Sequence, residues 1–75
     1  MKELIEYIAK SIVDKPDEVK VTETQEGGQV VIRLEVAPED KGKVIGRQGR
    51  IVQAMRVLLR VVAVREGTRA VLEII

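Results

Sequence analysis

The sequence predicts an α+β domain in which three helices cover one face of a three-stranded mixed sheet. Three observations carry that prediction. Residues 29–37 alternate, with Val30, Ile32, Leu34 and Val36 on one side and Gln29, Val31, Arg33 and Glu35 on the other. That pattern gives a strand with one buried and one largely wet face, so helices are needed on only one side of it. Gly27-Gly28 separates this run from an earlier strand-like run, as a two-residue hairpin turn does. Elsewhere apolar residues recur at steps of three and four, the helical period.

Taken in order, Leu4, Ile5, Ile8, Ile12 and Val13 predict an amphipathic helix over residues 2–13, stopped before Pro16. Tyr7, the only aromatic residue, falls at the edge of its apolar stripe and is expected to pack with its hydroxyl at the surface. Residues 19–26 read as a strand, apolar only at Val19 and Val21, which suits a sheet edge. After the central strand, Pro38-Glu39-Asp40 opens a short helix with proline first and acids in the first turn. It runs through Val44 and Ile45 to Gly46. A longer helix follows from about Arg50 to Val64, its expected core line being Ile51, Met55, Leu58 and Val62, with Val52 and Leu59 beside it. Gln53, Arg56 and Arg60 form its polar arc. Glu66-Gly67 makes the exit turn, and residues 68–75 form the last strand, with Ala70, Leu72 and Ile74 inward. A two-helix crossover between the second and third strands predicts that they run parallel.

With 75 residues the chain has room for one small domain, residues 1–75. A domain of this size buries only about 60% of its unfolded surface. It has no cysteine and no histidine, which removes disulfides, the usual zinc ligands and the commonest general base. Thirteen basic and twelve acidic residues give a net charge of +1, but their distribution is uneven. Lys41, Lys43, Arg47, Arg50, Arg56 and Arg60 lie in a stretch without an acid, while the acids gather in residues 1–40. That asymmetry suggests one basic face. No apolar run approaches the roughly 20 residues of a membrane span. The N-terminus carries acids early, unlike a signal peptide, so a soluble, cytoplasmic protein is expected.

The stretch Gly42-Lys43-Val44-Ile45-Gly46-Arg47-Gln48-Gly49-Arg50-Ile51-Val52 sets two glycines three apart between helices. Glycines there let a backbone approach a ligand, and the first N–H groups of the following helix, with Arg47, suit a phosphate. A bare GxxG also arises by chance as a mere helical corner. The wider string resembles the VIGxxGxxI signature of KH domains, whose GxxG loop clamps a single-stranded backbone. The element order, with the loop between the second and third helices, is similar to the type II KH fold over the whole chain. A lone domain of this size carrying GKVIGRQGR resembles the small bacterial KhpA family.

That resemblance implies a non-catalytic, cytoplasmic binder of single-stranded RNA acting as an RNA chaperone or post-transcriptional regulator. It also implies self-association, and a complex with a larger KH-containing protein of the Jag type, linked to cell shape. No cofactor is implied. On the residues themselves, Gly46 and Gly49 are expected to admit the RNA backbone, Arg47 and Gln48 to reach phosphate or sugar, and Lys43 and Arg50 to widen the positive field. Ile45 belongs to the apolar floor beside the loop, and Arg33, on the open sheet face, is a further candidate for a base-edge contact. Single-stranded DNA is not distinguished from RNA by these features. A flank of Ala54, Val57, Val61 and Val64 on the long helix is a candidate dimer interface, competing with packing of the first helix there. The rival reading is an interaction module that leaves the loop idle. An enzyme is not expected, since Glu39-Asp40 and Asp17-Glu18 read as helix-start and solvated charges. A Walker-type nucleotide site is excluded by the missing Gly-Lys-Ser/Thr ending.

Overall fold

Ile5 and Ala9, four residues apart on one face, turn the first helix, α1 (Lys2–Ile12), onto the sheet, where both are fully buried. The computed structural model describes residues 1–75. Val13 leaves the helix in extended geometry, and a single 3-10 turn at Pro16–Glu18 leads into β1 (Lys20–Glu26). Of that strand only Val21 is buried, as an edge strand allows. Gly27 and Gly28 both have positive φ, the geometry of a type I′ hairpin turn, and Glu26 pairs with Gln29 across it. β2 (Gln29–Glu35) is the central strand, antiparallel to β1 and parallel to β3 (Ala70–Ile74). The mixed sheet and the order of elements are those expected.

One face of the sheet carries the core. Val30, Ile32 and Leu34 pack with Ile5, Ala9, Val44, Val52, Met55 and Leu59 from the helices, and Leu72 from β3. On the other face Val31 is nonetheless buried, because its register neighbours Thr24 and Val71 close over it from both sides.

Three local expectations are corrected. Tyr7 lies 74% exposed, with most of its ring in solvent rather than packed. The long helix, α3 (Arg50–Arg65), turns Val52, Met55, Leu59 and Ala63 inward, so Ile51 and Leu58 leave the expected core line and stand at the surface. At the start of the helix Ile51 lies instead over Gly46, where a Cβ would stand 2.6 Å from Ile51 Cγ1. Finally, α1 does not cover the outer flank of α3: Val57, Val61 and Val64 are 52%, 54% and 70% exposed.

Candidate nucleic-acid interface

Pro38–Asp40 forms a 3-10 turn that runs directly into α2 (Lys41–Ile45), a helix of little more than one turn. Val44 anchors it in the core, which aims Lys43 and Ile45 outward. Gly46 ends it at φ 78°, ψ 170°, a backbone region essentially confined to glycine. A side chain there would also strike Ile51 backbone nitrogen at 2.9 Å, so the glycine serves the packing of the corner before it serves any ligand. Arg47–Gly49 then makes a 3-10 turn in which Gln48 takes φ 57°, ψ 25° and Gly49 takes φ 73°. Two successive residues of left-handed geometry thrust the 47–48 side chains away from the body.

The loop spends several of its own amides. Gly46 N–H donates to Gly42 C=O at 2.9 Å, Gly49 N–H to Gly46 C=O at 3.1 Å, and Arg50 N–H to Arg47 C=O. That leaves the N–H groups of Arg47 and Gln48, rather than the whole run from Gly46 to Arg50, for an outside acceptor. The side chains differ in the same way. Arg50 Nη2 donates to Gln48 Oε1 at 3.3 Å, and Lys43 Nζ lies 2.7 Å from Asp14 Oδ2. That hydrogen bond, with the charge of Asp14 behind it, raises the Lys43 pKa above its ordinary value. Arg47 has no salt-bridge partner. Ile45 and Ile51, 38% and 36% exposed, give the loop an apolar border.

Lys43, Ile45, Gly46, Arg47, Gln48, Gly49 and Arg50 thus form one continuous corner. Arg33 is elsewhere. The alternation of β2 puts it on the sheet face opposite the helices. There its Nη1 contacts Glu26 Oε2 at 2.9 Å, and its Nε contacts Glu73 Oε1 at 2.9 Å. Ala54, Val57, Val61 and Val64 are all exposed along α3 and form a separate surface.

Two features have no foreseeable signal in the chain. Arg56 Nη2 donates to Leu72 C=O at 3.2 Å, on the edge of β3 that faces away from β2. With Leu59, Arg60, Ala70 and Val71 these residues line a cleft of about 170 Å³ between α3 and β3. Asp40, the one buried charged residue at 1% exposure, accepts the backbone N–H groups of Asp14 and Lys15 at 3.2 and 3.0 Å. No group of three or more carboxylate, histidine or cysteine side chains is placed to share a metal ion. No helix is long and apolar enough to cross a membrane.

Comparison with known proteins agrees with the resemblance. The family model described as "KhpA/KhpB, KH domain" matches residues 2–74. A protein named RNA-binding protein KhpA from Clostridium acetobutylicum is 55% identical over 75 residues, covering 100% of both chains. Proteins of the same name from Caldanaerobacter subterraneus, 52% identical with 100% of both chains covered, and from Aquifex aeolicus, 47% identical with 100% of this chain and 95% of the other covered, are similarly related. No solved structure matches the chain.

Proposed function

The chain belongs to the KhpA/KhpB family of KH domains, and from that premise we propose that it is a single-domain, non-catalytic, cytoplasmic binder of single-stranded RNA that grips the RNA backbone at residues 46–49. The observation that carries this reading is the free guanidinium of Arg47 on a loop whose backbone is held out by Gly46, Gln48 and Gly49. Phosphate contacts of this kind position a strand and carry little sequence information. The cleft beyond the loop, with Arg56 and Arg60 along it, offers the bases somewhere to lie. No aromatic side chain borders the loop, so the roughly 1–3 kcal/mol per base of aromatic stacking is missing. Binding is weak and permissive, over about four nucleotides. That suits an RNA chaperone better than a sequence-specific regulator.

Replacing Arg47 and Gln48 together with Asp tests this. Both side chains project from a turn and fill no core volume, and such changes usually move stability by less than about 0.5 kcal/mol. Two carboxylates there repel the phosphates. Fluorescence anisotropy with a labelled oligouridylate should report loss of binding, while circular dichroism and melting remain native. Native affinity in the folded variant would leave the loop as a corner only. A matching series with oligodeoxythymidylate compares RNA with DNA.

A second activity is favoured by the uncovered flank of α3. Val57, Val61 and Val64 form an exposed apolar stripe with Ala54, which supports self-association. The same surface is our candidate for contact with a larger KH-containing protein of the Jag type, the partnership through which a role in cell shape would act. Val57→Glu should yield a folded monomer by sedimentation. A native chain that is already monomeric at high concentration would end the self-association reading.

A further inference from the structure

The junction between α1 and α2 is built around a buried carboxylate. Asp40, at the start of α2, holds the backbone N–H groups of Asp14 and Lys15 on its two oxygens, at 3.2 and 3.0 Å. The chain leaving α1 is therefore fixed against the helix that leads into the loop. Lys15 Nζ and Glu39 Oε2, 2.6 Å apart, fasten the same junction from outside. With its backbone so held, Asp14 presents its carboxylate to Lys43 Nζ at 2.7 Å. Lys43 stands three residues before Gly46, nearly one helical turn from the loop.

We propose that Asp14 sets the RNA affinity of the loop by occupying Lys43 in competition with phosphate. The proposal rests on the reading of residues 46–49 as the RNA clamp. A phosphate that approaches Lys43 must displace a carboxylate already there, so one anion replaces another and no net ion pair is gained. The cation nearest the loop on α2 then contributes little to affinity, although by sequence it belongs to the basic stretch. The contact reaches back 29 residues, to a segment outside the loop and its two helices. Its alternative is an ordinary surface ion pair of no consequence for binding.

The distinction lies in salt dependence. Each phosphate contact on a single strand contributes a slope of about −0.7 to the log–log plot of affinity against salt. With Arg47 and Arg50 engaged and Lys43 occupied, the native slope should be about −1.4 for a labelled oligouridylate in a potassium chloride series. Asp14→Asn should steepen it to about −2.1 and tighten binding about threefold, the scale of an exposed ion pair. Lys43→Met should leave the native slope unchanged but cancel the gain in the Asp14→Asn background. Glu35→Gln makes the same change of net charge on the opposite sheet face and serves as the reference.

Asp40 binds the backbone of residue 14, not its side chain, so Asp14→Asn leaves the anchor in place. If Asp14→Asn matches Glu35→Gln in affinity and slope, the proposal is overturned. It is also overturned if Lys43→Met alone flattens the native slope by about 0.7, because Lys43 would then already be meeting phosphate. The Arg47/Gln48 double variant separates the two levels. Should it lose RNA while Asp14→Asn behaves as the reference, only the role of Asp14 falls. Should it retain native affinity, the loop reading falls with it.

Discussion

Arg33 and Arg47 carry the same guanidinium, but on opposite faces of the molecule and in opposite states. Arg33 is spanned by two carboxylates, Glu26 on one neighbouring strand and Glu73 on the other, with Thr24 Oγ1 accepting at 3.5 Å. Its hydrogen bonds, first those to Glu26 and then to Glu73, raise its pKa further above the ordinary arginine value. Arg47 stands on a loop with no carboxylate partner. The outer sheet face is thus a place where positive charge is consumed by the fold, and the loop is a place where it is left over. What separates the two guanidiniums is a pair of internal carboxylates, present for Arg33 and absent for Arg47, which neither net charge nor local composition reports.

The comparison breaks most severely at Gly46. Gly46→Ala places a Cβ 2.6 Å from Ile51 Cγ1 and 2.9 Å from Ile51 backbone nitrogen, at a φ of +78°. The expected cost is about 1–3 kcal/mol of stability, read from urea unfolding, together with loss of RNA affinity, because the loop can no longer hold Arg47 outward. Native stability in that variant would show that the corner relaxes freely and that Arg47 is not positioned by it.

A smaller effect sharpens the other side. Arg33→Met should leave RNA affinity unchanged. It should also remove part of the acid sensitivity of folding. The Arg33 hydrogen bond, and after it that of Thr24, hold the Glu26 carboxyl below the ordinary glutamate range. A carboxyl depressed in the folded state stabilises it above the unfolded pKa, and that contribution fades as pH falls through the folded pKa. Urea midpoints from neutral to acid pH should therefore fall less steeply in Arg33→Met than in the native chain. A loss of RNA binding in this variant would instead make the outer face part of the site.

Much of this arrangement was legible in the residues. The alternation of residues 29–37 identifies a half-buried central strand, and Gly27-Gly28 identifies its hairpin. The wider string around Gly46 and Gly49 locates the loop and implies the family, which the comparisons bear out. The rotation of α3 was not legible, because Ile51, Val52, Met55, Leu58, Leu59, Val61 and Val62 surround most of the helix and allow more than one inward line. The line the fold takes is Val52, Met55, Leu59 and Ala63, with Ile51 lying over Gly46. Pro38-Glu39-Asp40 reads as a helix start with acids on the dipole, and that pattern gives no sign that Asp40 is buried as an acceptor for a segment 25–26 residues earlier. The occupied state of Lys43 follows from the same junction. The exposure of Tyr7 has a simpler reason: a residue at the edge of an apolar stripe is placed by how far its neighbours cover it, and here most of the ring is left in solvent.

The parallel pairing of β2 with β3 also has a kinetic side. β1 and β2 meet through a two-residue turn, whereas Arg33 faces Glu73, 40 residues away, across α2 and α3. Strand pairing across that separation is expected to form more slowly than a hairpin between neighbours in sequence. The hairpin is therefore expected to form first, with β3 docking onto β2 after it. β3 also follows residues 41–60 in the chain, so on a ribosome the basic stretch emerges before the strand that completes the sheet.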